Sequence, residues 1–339
     1  MTQEQGGGAC RPAGEIFADE MQKWFEQKEF ENIVSACQQA MENGENTAEA
    51  YFWLGVVTGE EGNIEKAVDF YTKAIESSPQ ANYYAYRGST YAIAGLMPEA
   101  IADYSQAIRI KPEDWLNYAN RGVLYMEKEM YEHAVNDFNE ALELEPKDIG
   151  SYYNRGEAFM AQGLYSIAID DFNAIIALAP EDADAYAKRG QAYSELGMPD
   201  KAIADYDKSI ELDPENISTV VIRASLYMAA GRHDDAIAGF TRAVEANPED
   251  ARACFFRGIA YVSKGDFALA VNDFDQMILA EPEFAITHYN KALCCDRLQR
   301  PVEAAAAYRR FLELAEPGSF EVKHATERLK TLEEQQPLQ

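Results

Sequence analysis

Apolar residues recur along this chain at helical spacing, and no segment shows the sustained period-two alternation of a β-strand. One arrangement of small, aromatic, glycine and proline residues returns with a period of 34 residues, which is typical of a repeat protein. The repeats begin at Gly14, Ala48, Ala81, Trp115, Ile149, Ala183, Ile217, Ala251 and Ala285. Each repeat predicts a helix, a tight turn and a second helix, and the absence of predicted strands excludes Rossmann and hydrolase scaffolds.

Two positions within each repeat predict how its helices pack. Position eight is small from the second repeat onward: Gly55, Gly88, Gly122, Gly156, Gly190, Ala224, Gly258 and Ala292. Position twenty-four is aromatic in the same repeats: Tyr71, Tyr104, Phe138, Phe172, Tyr206, Phe240, Phe274 and Tyr308. Because a small residue leaves room that a ring can fill, we expect close packing between the helices of each repeat.

Glycine and proline predict where the helices end. Position fifteen is usually glycine, which suits a left-handed residue after the first helix: Gly62, Gly95, Gly163, Gly197, Gly231 and Gly265. A proline follows the second helix at Pro79, Pro112, Pro146, Pro180, Pro214, Pro248 and Pro282. An aspartate then predicts the N-cap of the next repeat at Asp114, Asp148, Asp182 and Asp250.

These residues resemble the tetratricopeptide repeat (TPR) family, which has small residues at positions eight, twenty and twenty-seven, aromatics at eleven and twenty-four, and proline at thirty-two. The resemblance covers Gly14 to about Gly318. Both terminal repeats depart from the pattern, with Met21 and Cys37 in the first and Cys295 in the last. The resemblance implies an all-α fold: a right-handed α-solenoid of helix-turn-helix repeats with degenerate ends.

The expected domain organisation has four parts. Residues 1–13 form a flexible leader, 14–318 the nine repeats, 319–334 a C-terminal capping helix and 335–339 a short tail. The capping helix is predicted because Val322, Ala325, Leu329 and Leu332 recur at helical spacing.

Charge and cysteine content narrow the range of partners and of cellular locations. The 58 acidic and 30 basic residues give a formal net charge of −28, which disfavours nucleic acid and anionic lipid as partners. No apolar stretch approaches the ~18 residues of a membrane span, and the polar, glycine-rich start does not read as a signal peptide. The five cysteines form no C-x-x-C pair, so we expect a reducing, cytoplasmic location.

The chain carries no recognised catalytic signature: there is no G-x-S-x-G, H-E-x-x-H, G-x-x-x-x-G-K or G-x-G-x-x-G. The four histidines lie in different repeats, and none has cysteine or carboxylate at metal-ligand spacing. We therefore expect no enzyme activity, no metal and no cofactor.

Position seven is arginine in six repeats: Arg87, Arg121, Arg155, Arg189, Arg223 and Arg257. The ninth repeat has Lys291 there. Position twenty-three is aspartate in five of these seven repeats and uncharged in the other two, Gly239 and Ala307, where position eight is alanine rather than glycine. This covariation favours a structural set in which each arginine pairs with an aspartate of its own or an adjacent repeat. An arginine ladder for an acidic ligand is the functional alternative.

In TPR arrays the first helices line a concave groove, chiefly through positions two, five, six, nine, twelve and thirteen, and the resemblance implies such a groove here. The candidate binding residues on it are Phe52, Trp53, Tyr86, Asn120, Met126, Tyr153, Asn154, Met160, Lys188, Phe255, Phe256 and Asn290. Such side chains suit adaptable contact with a partner. Partly buried packing between helices remains the other interpretation.

Two specialised ways in which TPR domains bind their ligands can be compared with these positions. The lysines and asparagines that clamp the acidic C-termini of heat-shock chaperones are absent, because position five has no lysine and position nine no asparagine. Asn120, Asn154 and Asn290 resemble fragments of the asparagine ladder in the TPR domain of O-GlcNAc transferase. No carboxylate clamp is therefore expected.

The function favoured by the sequence is a non-enzymatic scaffold that binds a peptide or protein segment in the groove. The groove carries fewer acids than the whole chain, so a partner with basic flanks would be attracted by the acidic exterior. The alternative is a structural assembly subunit that self-associates through its ends or convex face.

Overall fold

The computed structural model describes residues 13–335, and these form nineteen α-helices. In chain order the helices are α1 (Ala13–Glu26), α2 (Phe30–Asn43), α3 (Thr47–Glu60), α4 (Ile64–Ser77), α5 (Ala81–Ile93), α6 (Met97–Ile110), α7 (Trp115–Glu127), α8 (Tyr131–Leu144), α9 (Ile149–Ala161), α10 (Tyr165–Leu178), α11 (Ala183–Glu195), α12 (Pro199–Leu212), α13 (Ile217–Ala229), α14 (His233–Ala246), α15 (Ala251–Lys264), α16 (Phe267–Ala280), α17 (Ala285–Arg297), α18 (Pro301–Leu314) and α19 (Phe320–Gln335). Residues 1–12 of the predicted leader and 336–339 of the predicted tail lie outside the described residues.

The helices pair as the period predicts, with an odd-numbered first helix and an even-numbered second helix in each repeat. They fall into two compact bodies, one ending at Asp171 and one beginning at Phe172. In the N-terminal body the first helices of successive repeats also touch directly, α3 with α5, α5 with α7 and α7 with α9. One layer of that body therefore consists of first helices, and the all-α solenoid architecture is confirmed.

The small and aromatic positions form the core of each repeat. A Cβ added at Gly122 would lie 2.8 Å from the ring of Phe138, and one added at Gly258 would lie 2.8 Å from the ring of Phe274. Both rings have no exposed surface. The glycine at position eight therefore lets the two helices of a repeat approach to ring-contact distance.

The turn between the helices of a repeat is left-handed in all nine repeats. Six of these turns use the predicted glycine, for example Gly163 with φ 72°. The other three place Lys28, Glu129 and Gln299 in the same conformation, with φ of 57–58°. Because a side chain disfavours this region by ~1 kcal/mol or more, the fold imposes the turn where the sequence does not favour it.

The predicted N-caps are confirmed at three of the four aspartates. Asp148, Asp182 and Asp250 each accept a hydrogen bond from a backbone N–H in the first turn of the helix they precede. Asp114 precedes α7 but makes no capping bond, and its carboxylate lies 3.4 Å from the Nζ of Lys111. The cap prediction is wrong there.

The C-terminal helix α19 packs against α18 through buried residues that include Ala325 and Leu332. Arg328 on α19 also donates to both carboxylate oxygens of Asp296 on α17, at 2.8 and 3.2 Å. The helix thus covers apolar side chains of the ninth repeat.

Candidate functional site

The arginines at position seven bind the aspartates at position twenty-three of their own repeats. Arg189 donates from Nε and Nη2 to the two carboxylate oxygens of Asp205, at 2.8 and 2.6 Å. The same two-bond pairing joins Arg87 to Asp103, Arg121 to Asp137, Arg155 to Asp171 and Arg257 to Asp273. The predicted structural set is confirmed in these five repeats.

Each of these arginines also reaches the preceding repeat. The Nη1 of Arg189 donates to Asn173 at 2.7 Å, and that of Arg121 donates to Ser105 at 2.9 Å. The acceptors, at position twenty-five, are uncharged in all five repeats: Thr72, Ser105, Asn139, Asn173 and Thr241. One guanidinium therefore ties two helices of its own repeat to the repeat before it.

The seventh and ninth repeats, which lack the aspartate, take their carboxylate from the preceding repeat. Arg223 pairs with Asp207, and Lys291 pairs with Asp275, both at position twenty-five. The prediction placed the partners at position twenty-three and missed both pairs. With every cation of the set engaged by a carboxylate, the alternative of an arginine ladder for an acidic ligand loses its support.

In the N-terminal body the structure brings Phe52, Trp53 and Tyr86 together. Phe52 lies 5.0 Å from the ring of Tyr86 and 5.5 Å from that of Trp53. Phe52 and Trp53 are only 4% and 6% exposed, whereas Tyr86 is 47% exposed. Of the three candidates, therefore, only Tyr86 presents its ring to solvent.

The burial of Phe52 and Trp53 has a local cause. The ring of Tyr83, one repeat further along, stacks on Phe52 at 5.0 Å. Glu49 accepts hydrogen bonds from the indole Nε1 of Trp53 at 3.1 Å and from the hydroxyl of Tyr83 at 2.6 Å. This part of the predicted groove is filled by the chain's own aromatic residues, which corrects the expectation that both rings line it.

The remaining candidates of the N-terminal body lie on α7 and α9. Asn120 is exposed, and the side chains of the other four are half-buried: Met126, Tyr153, Asn154 and Met160. They occupy first helices whose neighbours touch directly, so they belong to one layer of the body.

In the C-terminal body Phe255 and Phe256 lie together on α15, while Lys188 and Asn290 stand on α11 and α17. Phe255 is half-buried against Phe274 and Phe284, at 5.9 and 5.6 Å. Phe256 is 44% exposed. Lys188 and Asn290 are half-buried. Phe256 is therefore the aromatic candidate of this body with the most accessible ring.

A pocket of about 510 Å³ opens beside Phe256, within the range of ~300–1,000 Å³ that is common for ligand sites. Its walls come from α13, α14, α15 and the connection between α14 and α15: Ile217, Ser218, Val221, Ile222, Ala243, Ala246, Asn247, Asp250, Arg252, Ala253 and Phe256. Most of the lining is apolar, and Ile222 is 47% exposed.

Sequence reasoning placed Phe256 on the groove but missed this pocket. Two signals mark it in the sequence. Positions five and six of the seventh repeat are both branched apolar residues, Val221 and Ile222, and position thirty is Ala246 where the four preceding repeats have leucine or isoleucine.

The chemistry of the thiols and histidines does not point to catalysis. Cys37, Cys254, Cys294 and Cys295 are free and buried, and burial raises the pKa of Cys37 and of Cys294 to about 12. Within residues 13–335 no group of three or more His, Cys, Asp or Glu side chains is placed to hold a metal ion. Among the same residues, no helix combines the length and apolarity needed to cross a membrane.

Comparison with known protein families identifies the repeats. Profiles described as Tetratricopeptide repeat match residues 48–80, 149–182, 183–216, 223–276 and 257–319, and one described as TPR repeat matches residues 122–163. The chain belongs to the tetratricopeptide repeat family. TPR proteins are generally scaffolds that bind protein or peptide partners, and this chain is a protein-interaction scaffold in that general sense.

Solved structures show the same fold. The C-terminal part of a TPR repeat-containing protein from Cytophaga hutchinsonii is 17% identical, with a TM-score of 0.62 over 70% of this chain and 97% of that one. A tetratricopeptide repeat protein from Parabacteroides merdae is 19% identical, with a TM-score of 0.53 over 75% and 98%. The search among curated proteins found no match.

Proposed function

We propose that this protein is a non-enzymatic scaffold that binds peptide or protein segments on the first-helix surface, meaning the exposed side of the first helices within each of its two bodies. The proposal rests mainly on the exposure of position six in four repeats: Tyr86, Ile222 and Phe256 are 44–47% exposed and Asn120 is exposed, while position eight is buried in the same repeats. Large side chains that stay accessible beside a closely packed core are suited to contact with a partner.

The side chains on this surface supply both kinds of contact that a peptide needs. In the N-terminal body Tyr86 offers apolar area, and Asn120 and Asn154 offer amide groups for the partner's backbone. In the C-terminal body Ile222 and Phe256 offer apolar area. The net charge of −28 favours partners with basic flanks and faster association at low salt. No cofactor or metal enters this proposal.

A library of random peptides displayed on phage and selected on the immobilised chain tests the proposal. Affinities of the enriched peptides are then measured for Asn120→Ala/Asn154→Ala and for Phe256→Ala. We expect weaker binding to at least one of them, with circular dichroism confirming the fold. The matched control is Asn136→Ala, an exposed asparagine on the second helix α8. Enriched peptides that bind all variants equally would place the binding surface elsewhere and contradict the proposal.

The second candidate function is a structural subunit that self-associates. It is favoured by exposed apolar side chains away from the first-helix surface, namely Leu279 at 80%, Val302 at 69% and Phe320 at 74%. Sedimentation of the purified protein over a range of concentrations separates the two candidates. A stable oligomer in the absence of ligand would favour self-association.

We also propose a cytoplasmic location, supported by the four buried free cysteines. A fluorescent fusion examined in cells tests this directly, and a signal confined to an oxidising compartment would contradict it.

A further inference from the structure

The pocket beside Phe256 lies where the seventh repeat lacks a large side chain. Position thirty, near the end of the second helix, is apolar and bulky in four successive repeats: Ile110, Leu144, Leu178 and Leu212. The seventh repeat has Ala246 there, and this alanine is exposed and lines the pocket. Val221 and Ile222 line the same pocket as Ala246, and Ile222 is 47% exposed, so apolar surface faces the open space beside the alanine.

The pocket continues into a polar recess of about 380 Å³ that shares Asn247, Asp250 and Arg252 with it. The recess also contains Glu249 and Glu281. Its one cation, Arg252, binds Asp250 at 3.0 Å in an ion pair at the start of α15. Two further carboxylates therefore leave the recess with net negative charge.

We propose that this pocket takes a branched aliphatic side chain of a partner peptide, and that the adjoining recess takes a lysine or arginine of the same peptide. The proposal rests on the proposed function, because it specifies which peptides the first-helix surface selects. The aliphatic side chain supplies in trans the contacts that a leucine at position thirty would make within the chain. The basic residue complements Glu249 and Glu281.

The peptides selected on the immobilised wild-type chain give the first test. We expect the enriched sequences to share a leucine, isoleucine or valine with a lysine or arginine close to it. Enriched sequences that are acidic, or that lack the aliphatic residue, would overturn the proposal.

Ala246→Leu gives the sharpest test, because it restores the residue type of the four preceding repeats and fills the pocket from within. We expect the affinity for the enriched peptides to fall about tenfold to a hundredfold, since a bound side chain loses its place. The thermal stability of the variant should stay equal or rise. A purely structural substitution would not combine retained stability with lost affinity.

The matched control is Ala238→Leu, an exposed alanine on the same helix α14 that does not line the pocket. It should bind the peptides like the wild type. Ile222→Ala is the second pocket variant, because this half-exposed side chain contributes one wall without being part of the buried core. We expect it to weaken binding about threefold to tenfold.

The charge component is tested with Glu249→Gln/Glu281→Gln. We expect about threefold to tenfold weaker binding and a smaller dependence of affinity on salt concentration. Glu245→Gln/Glu303→Gln removes two acidic charges outside the recess and should leave both quantities nearly unchanged.

The remaining outcomes separate this inference from the proposed function. Peptides that lose affinity for Asn120→Ala/Asn154→Ala but bind Ala246→Leu and Ile222→Ala normally would overturn the inference and leave the proposed function standing. Peptides unaffected by every substitution on the first-helix surface would overturn both. A wild-type oligomer that Ala246→Leu dissociates in sedimentation would show that a second copy of the chain fills the pocket, which also overturns the inference.

Discussion

In the sixth repeat Arg189 binds both oxygens of Asp205 in its own repeat, whereas in the seventh repeat Arg223 reaches Asp207 of the repeat before it. Asp205 is buried, but the side chain of Asp207 is 50% exposed. The Nε of Arg223 is buried and has no hydrogen-bond partner among the described residues. The ion pair of Arg189 therefore joins the two helices of the sixth repeat, whereas the ion pair of Arg223 joins the seventh repeat to the sixth.

The packing between the two helices also differs between the sixth and the seventh repeat. In the sixth repeat Gly190 faces Asp205, and a Cβ on the glycine would lie 3.3 Å from the Cβ of the aspartate. In the seventh repeat the glycine is on the opposite helix, where a Cβ on Gly239 would lie 2.8 Å from that of Ala224. The close approach of the helices leaves little room for side chains at both positions. Once Ala224 occupies this space, the carboxylate is better accommodated elsewhere, and Asp207 supplies it.

The comparison predicts unequal costs for removing the two carboxylates. Asp205→Ala should destabilise the protein by about 2–4 kcal/mol, because it leaves the largely buried guanidinium of Arg189 without a charged partner. Asp207→Ala, on the same helix α12, should cost less, about 1–2 kcal/mol: Arg223 is as buried as Arg189, but the carboxylate of Asp207 is 50% exposed, so solvent already screens the pair. Urea denaturation with hydrogen exchange resolved by helix measures both. Equal costs would show that the location of the carboxylate does not matter.

The packing argument is tested by moving the aspartate into the seventh repeat. Gly239→Asp alone should destabilise the protein by about 1–3 kcal/mol, because its Cβ meets Ala224. Adding Ala224→Gly should recover most of this loss and give Arg223 an aspartate within its own repeat. In the double variant Asp207→Ala should then cost less than in the wild type. If the effects of the three substitutions on stability were simply additive, the idea that an aspartate at position twenty-three can replace Asp207 as the partner of Arg223 would be refuted.

The left-handed turns extend the comparison between regular and departing repeats. Glu129→Gly and Gln299→Gly should each stabilise the protein by about 1 kcal/mol, since both residues have positive φ without the freedom of glycine. Gly163→Ala should destabilise by a similar amount. Thermal unfolding of the three variants checks the sign of each change. A loss of stability in Glu129→Gly would mean that its side chain makes a compensating contact.

The smallest expected effect concerns the uncharged acceptor at position twenty-five. Asn173→Ala removes one hydrogen bond to Arg189 but leaves both bonds to Asp205, so the cost should be about 0.5 kcal/mol or less. The same urea titrations measure it. A cost as large as that of Asp205→Ala would mean that the tie to the preceding repeat matters as much as the tie within the repeat.

The sequence predicted interactions that repeat with the period, and it was less informative where a repeat depends on its particular neighbour. The bond between Arg189 and Asp205 recurs at a fixed separation in five repeats, so comparing the chain with itself revealed it. That Asp207 pairs with Arg223 of the next repeat becomes apparent only when the contact between consecutive repeats is known. Asp114 likewise matched the capping pattern, and only the structure showed that its side chain makes no capping bond.

The candidate site shows the same division. By itself the sequence determined the helix pairs, the small and aromatic core, the six left-handed turns at glycine and the helix on which each candidate stands, because each repeat must bury the same face against its neighbours. Only the tertiary structure decided that Tyr83 covers Phe52 while Tyr86 and Phe256 stay accessible, and that Ala246 opens a pocket beside Ile222. Exposure depends on the volume of the side chains on the neighbouring helices of the same and the next repeat, and a periodic pattern does not specify that volume.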